Sequence, residues 1–236
     1  MVTASDPLQV NSVTKSQTIK INWQAIDTVL LDMDGTLLDL HFDNYFWQTW
    51  LPKRYADIHG MDLDTTLQKL NAHIESYRGT LQWYCLDFWS NAFSVDISAL
   101  KKEVQHKIAY RPQVQDFLKQ LRQTNKRIWL VTNAHRDSVN LKVAMTGLDQ
   151  YLDELISSHD FDQPKESIHF WSKMHKAFPF DLEKTLFVDD TVSVLKTAQE
   201  FGIKHLLGIH QPDSQQPRMM DEFPAIHHFD EILPVR

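Results

Sequence analysis

The chain has 236 residues, 42% of them hydrophobic, enough to bury a core in one domain with a sizeable insertion or in two small domains, which excludes disorder for most of its length. A net charge of −7, with acidic and basic residues interspersed, argues against a nucleic-acid polymer or a membrane surface as partner, so any phosphate contacts must be local. One cysteine, Cys85, rules out an internal disulfide framework; no apolar stretch approaches transmembrane length and the start lacks a signal-peptide layout, so a soluble, cytoplasmic protein is expected.

Residues 1–18 are rich in Ser, Thr, Gln and Asn without periodicity and are expected to form a disordered leader. Residues 29–37 read Val-Leu-Leu-Asp-Met-Asp-Gly-Thr-Leu, an apolar run that ends in two acids and breaks at a glycine. Period-2 strand geometry would point Asp32 and Asp34 to the same side of the strand's carboxyl end. Like charges that close push one pKa upward unless a cation or a donor cluster lies between them, so the pair predicts either a Mg2+ site or a shared proton.

Residues 41–110 look wholly helical and are crowded with aromatics, among them Phe42, Trp47, Trp83, Tyr84 and Trp89. An all-helical insertion after the first strand of an α/β sheet is most simply a cap over the carboxyl ends of the strands, where such sheets place their ligands. Taken singly, most of these rings are expected to pack within the cap.

From residue 111 onward helical patterns alternate with β-rich runs, the signature of a parallel sheet with crossover helices. Helices are predicted over 112–122, with Pro112 in the first turn, over 136–146, stopped by Gly147, over 166–177, and over 193–201, closed by Gly202. Strands are predicted over 127–132, 154–157, 184–188 and 204–209, and the tail from Gln211 is loop-rich, ending in the apolar segment 229–233. The domain division that follows is a core of 19–40 and 111–236 with a helical cap at 41–110.

Polar residues fall at equivalent places after the strands: Asp32 and Asp34, Thr132 and Asn133, Lys165 after Pro164, and Asp189 with Asp190. Strand ends converge in this architecture, so four carboxylates, a hydroxyl and an amine meet, a composition that suits a metal site with a phosphate cradle. Mg2+ takes hard oxygen ligands, and one or two carboxylates plus a substrate phosphate oxygen complete such a shell.

The four clusters, in this order, resemble the motifs of the haloacid dehalogenase superfamily, and the acid two residues after Asp32 resembles its phosphatase branch. The resemblance covers the chain from about residue 24 and implies a Rossmann-like parallel sheet core with an inserted all-helical cap. It implies that Asp32 attacks phosphorus to form an aspartyl-phosphate, and that Asp34 protonates the leaving oxygen and later activates water. It further implies Mg2+ held by Asp32, the Asp34 backbone carbonyl and Asp190, with Asp189 nearby. Thr132 and the amides of Met33, Asp34 and Asn133 would bind the transferring oxygens, and Lys165 would neutralise their charge. Relatives often carry another acid four residues after the metal aspartate; this chain has Val194 there, and the paired Asp189 and Asp190 can compensate.

The phrases Asp39-Leu-His-Phe-Asp-Asn-Tyr-Phe-Trp47, Trp83-Tyr-Cys-Leu-Asp-Phe-Trp89 and Val131-Thr-Asn-Ala-His135 resemble the purine 5′-nucleotidase (GMP/IMP nucleotidase) group within that superfamily. The expected activity is therefore Mg2+-dependent hydrolysis of a small phosphate ester, a purine nucleoside 5′-monophosphate. A sugar phosphate or phosphoglycolate is the alternative substrate, and a non-catalytic nucleotide-binding module the alternative of another class. The twelve histidines show no zinc-protease spacing and are expected to be packed or solvated, with His135 near the mouth of the site. Cys85, inside the cap, is expected to be a small buried hydrophobe.

Overall fold

Strand β1 (Thr28–Leu31) is buried along its whole length, as a central strand covered on both faces must be. The structure, a computed structural model, describes residues 19–235; the leader expected over 1–18 lies outside the described residues. After β1 the chain runs through α1 (His41–Tyr45), a π-helical turn (Phe46–Trp50), α2 (Leu51–His59), α3 (Leu63–Glu75), α4 (Leu81–Tyr84), α5 (Leu86–Phe93) and α6 (Ile97–Glu103). It then alternates: α7 (Val114–Arg122), β2 (Arg127–Thr132), α8 (Arg136–Thr146), β3 (Glu154–Ser157), α9 (Ile168–Ala177), β4 (Thr185–Asp189), α10 (Val192–Phe201), β5 (His205–Ile209) and β6 (Ala225–Ile226).

The sheet is parallel throughout, in the order β3-β2-β1-β4-β5-β6. Side chains alternate across its pleat and fill two cores. Val29, Leu31, Ile128, Leu130, Leu186 and Val188 meet Phe117 and Leu121 of α7, while Leu30, Trp129, Val131 and Phe187 meet Phe170 and Trp171 of α9 and Leu195 of α10. A third core, built by Phe42, Phe46, Leu70, Trp89 and Phe93 among others, belongs to the helical segment. Because the strand order reverses beside β1, the carboxyl ends of β1 and β4 open a crevice there.

Several boundaries differ from the sequence expectation for identifiable reasons. Gln113 takes a left-handed φ of 65° at the start of α7, so Pro112 lies outside the helix, not in its first turn. Ser167 caps α9 by accepting the His169 amide, which leaves Glu166 in the preceding loop. Strand β4 runs one residue later than expected and includes Asp189, because Leu182–Lys184 forms a 3-10 turn. The helical segment ends at Lys107, and Tyr110 makes an antiparallel bridge to Leu38. In the tail, β6 adds a sixth strand too short to show any period. Gly147 and Gly202 do end their helices with left-handed φ.

Candidate active site

The crevice holds a buried group of three carboxylates. Asp32 leaves β1 with its amide bonded to the Val188 carbonyl, Asp189 ends β4 and Asp190 follows it; one oxygen of each lies within 4.8 Å of the others. Lys165 is buried between two of them, its Nζ donating to Asp32 Oδ1 at 2.5 Å, Asp189 Oδ2 at 2.7 Å and the Val131 carbonyl at 3.0 Å. Arg218 donates to Asp190 Oδ2 at 2.9 Å. Burial drives the Asp189 carboxyl well above its ordinary value, only partly offset by Lys165, and burial with Asp32 nearby raises Asp190. Burial alone would pull the Lys165 ammonium down, but Asp189 and Asp32 reverse that and raise it. Hard oxygen donors crowded this closely fit a divalent cation that would relieve their mutual repulsion.

The turn after β1 shapes the other side of the crevice. Regular strand pairing stops at Leu31, yet Asp32 and Asp34 still border one cavity; Asp34 Oδ1 accepts there from Lys142 Nζ, at 2.6 Å. Gly35 has φ 85°, and a Cβ there would sit 2.8 Å from Asp190 Cγ and 2.9 Å from Pro212 Cβ. Only glycine lets the backbone pass this close to Asp190. Burial raises the Asp34 carboxyl to about 7 despite Lys142. Met33 itself buries its side chain in the core.

Loops after β2 and β3 complete the crevice. Thr132 Oγ1 accepts the Ala134 amide at 3.0 Å, which leaves its hydroxyl hydrogen to be donated. Asn133 accepts the Lys165 amide at 2.9 Å and donates to Glu166 Oε2 at 2.9 Å. Tyr84, at the end of α4, donates to the other Glu166 oxygen at 2.7 Å. A cavity of about 750 Å3 joins these groups to the helical segment, with Asp32, Thr132 and Lys165 on its wall together with Trp47, Arg78 and Trp83. Thus Asp32, Asp34, Thr132, Asn133, Lys165, Asp189 and Asp190 all line one cavity, as do Val194 and His135.

Sequence reasoning missed Lys142, Asp43, Glu166 and Arg218. Lys142 left one signal, a lysine three residues after Val139 on the buried face of α8. Cys85 also departs from its expected burial: it is partly exposed, with Sγ accepting the Phe88 amide at 3.4 Å.

A family model described as haloacid dehalogenase-like hydrolase matches residues 26–202. The chain is 39% identical over 217 residues to the GMP/IMP nucleotidase YrfG of Escherichia coli (strain K12), covering 92% of this chain and 98% of that protein. Among solved structures it is similar to a HAD phosphatase from Thermococcus onnurineus, with TM-score 0.71, 21% identity and coverage of 86% of this chain and 94% of that one. The HAD-hydrolase YfnB from Bacillus subtilis aligns with TM-score 0.60, 18% identity and coverage of 87% and 96%.

Proposed function

The chain belongs to the haloacid dehalogenase-like hydrolase family, and from that premise we propose that it is a Mg2+-dependent phosphomonoesterase acting on purine nucleoside 5′-monophosphates. One observation carries the chemistry: Asp32, a carboxylate held by Lys165 beside Asp189 and Asp190, lies on a cavity large enough for a nucleotide. The purine substrate rests on likeness to the nucleotidase along nearly the whole chain.

In this reading the Asp32 carboxylate attacks phosphorus and the ester oxygen departs, taking a proton from Asp34, so an aspartyl-phosphate and a free nucleoside result. Water then attacks that phosphorus, Asp34 takes its proton, and the Asp32 carboxylate and inorganic phosphate are released. A carboxyl raised to about 7 can both give and accept a proton near neutral pH, which suits this double role. Thr132 and the amides of Met33 and Asn133 hold the transferring oxygens, and the Lys165 ammonium offsets their charge. Asp32, Asp189, Asp190 and the Asp34 carbonyl are the residues that would hold Mg2+, whose charge lets an anionic ester meet an anionic nucleophile. The helical segment 41–110 serves as the cap, and its cavity-facing rings Trp47 and Trp83 offer π surfaces for a base.

Phosphate release from GMP, IMP, AMP, CMP, UMP, glucose 6-phosphate and phosphoglycolate, with Mg2+ present or chelated, tests the reading. Purine monophosphates should be turned over fastest and chelation should stop release. Asp32→Asn should lower release by at least about a thousandfold while the circular-dichroism spectrum stays that of the folded chain. Release that survives Asp32→Asn would overturn the mechanism, and a preference for the sugar or glycolate ester would overturn the substrate.

A further inference from the structure

A second cluster of ligating groups lies at the seam between the helical segment and the sheet, and the hydrolytic chemistry makes no use of it. Cys85 precedes α5, His135 follows β2 and His159 lies in the 3-10 turn Ser158–Phe161 after β3, yet one donor atom of each falls within 4.8 Å of the others. The two imidazole rings meet edge to face with centroids 5.1 Å apart. The histidines were expected to be packed or solvated, and His159 is packed against His135, but its Nε2 is buried with no hydrogen-bond partner among the described residues. A buried imidazole nitrogen without a partner keeps a lone pair or a proton unsatisfied, which a metal ion would relieve.

The remaining donors are poised in the same sense. Cys85 is the N-cap of α5, and its Sγ accepts the Phe88 amide at 3.4 Å, which fixes the sulfur at the start of that helix. His135 Nε2 lies 3.6 Å from Asp87 Oδ2, so a carboxylate stands by for a fourth position. Coordination through that nitrogen moves the ring proton to Nδ1 and sacrifices only the long 3.4 Å contact from the Asp137 amide. Burial, with His135 beside it, holds the His159 imidazole down to about 4, so no proton competes there at neutral pH. One thiolate and two imidazoles make a zinc-type donor set, unlike the all-oxygen set at Asp32.

We propose that Cys85, His135 and His159 bind Zn2+ and thereby fasten the helical segment to the loops at the mouth of the active site. Binding expels the thiol proton to solvent and makes one Zn–S and two Zn–N bonds. Donors in a tetrahedral zinc shell stand about 3.5 Å apart, so a cluster whose donors lie within 4.8 Å of one another needs only a small contraction to close on the ion. His135 follows Asn133 by two residues, so a filled site restrains the crevice entrance directly.

Cobalt titration of the full chain in saturating Mg2+ tests this, because a thiolate-to-cobalt charge-transfer band arises only at a sulfur site. One equivalent of Co2+ should produce the band and Zn2+ should abolish it by displacement. Asp32→Asn should keep the band and Cys85→Ser should lose it, while His159→Ala should weaken Zn2+ binding by at least about tenfold. Zn2+ should also slow hydrogen exchange in α5 of the wild type. No band in the wild type, or wild-type Zn2+ affinity in Cys85→Ser, overturns the proposal. Neither readout needs turnover, so the outcome is separate from that of the nucleotidase reading.

Discussion

At residue scale the least expected feature is a buried row of alternating charges. Lys142 Nζ donates to Asp34 Oδ1 and Asp43 Oδ2, both at 2.6 Å, and Lys101 Nζ donates to Asp43 Oδ1 at 2.7 Å. The two carboxylates respond in opposite directions. Burial would raise Asp43, but Lys101 and Lys142 outweigh it and pull the group down to about 2, whereas Asp34, with one ammonium, rises to about 7. A depressed carboxylate contributes stability that is complete above its unfolded value of 3.8 and is lost as pH falls through about 2. Asp43→Asn should cost about 3–5 kcal/mol near neutral pH, since it strips two buried ammonium groups of a partner. Measured by denaturant unfolding, the gap between wild type and variant should narrow by about 2 kcal/mol as pH drops toward 2. A gap independent of pH would mean that Asp43 is not held as the ion.

At the scale of elements, two glycines separate activity from stability. Gly35 occupies the turn after β1, and a methyl group there both strains a φ of 85° and strikes Asp190 and Pro212. Gly208 lies in β5 beside Asp189 in register, but an added Cβ there meets Met220 Cγ at 2.7 Å and Ala225 Cβ at 3.2 Å, where the clash falls on apolar side chains and not on a carboxylate. Gly35→Ala should therefore reduce kcat by about a hundredfold or more, the scale of a misplaced reacting group. Gly208→Ala should cost about 1–3 kcal/mol by overpacking, with kcat near wild type. Equal kcat losses in the two variants would show that position 35 has no special claim on the site.

The same elements mark what could be read in advance. The run 29–37 was legible because burial on both faces demands continuous apolar residues and because the break at Gly35 is a backbone necessity. The left-handed Gln113 was not, since nothing in glutamine announces positive φ, nor was β6, whose two residues pair only with Gly208 and Ile209. Asp32, Asp189 and Asp190 could be nominated because each stands at a strand end, and Lys165 because it follows Pro164 ahead of a helical pattern. Lys142 and Asp43 could not be paired, because their contact spans 99 residues and depends on how the helical segment meets α8.

At the scale of the whole molecule, that meeting is polar where it borders the crevice. Lys142 reaches Asp43, Asn44 donates to Asp213 at 2.6 Å, and Tyr84 donates to Glu166, which also accepts from Asn133. Asn133 in turn fixes the amide of Lys165, so Tyr84 is three hydrogen bonds from the lysine that holds Asp32. A hydrogen bond to a charged acceptor contributes about 1.5–3 kcal/mol, and part of this is recovered when water replaces the phenol. If the seam opens as a unit, Tyr84→Phe should raise its open population by about tenfold, the equivalent of about 1.4 kcal/mol. Amides of α4 and α5 should then exchange about tenfold faster while those of β1 and β4 keep their wild-type rates. Uniform acceleration across sheet and helices would instead mean that Tyr84 supports global stability and that the seam has no opening of its own.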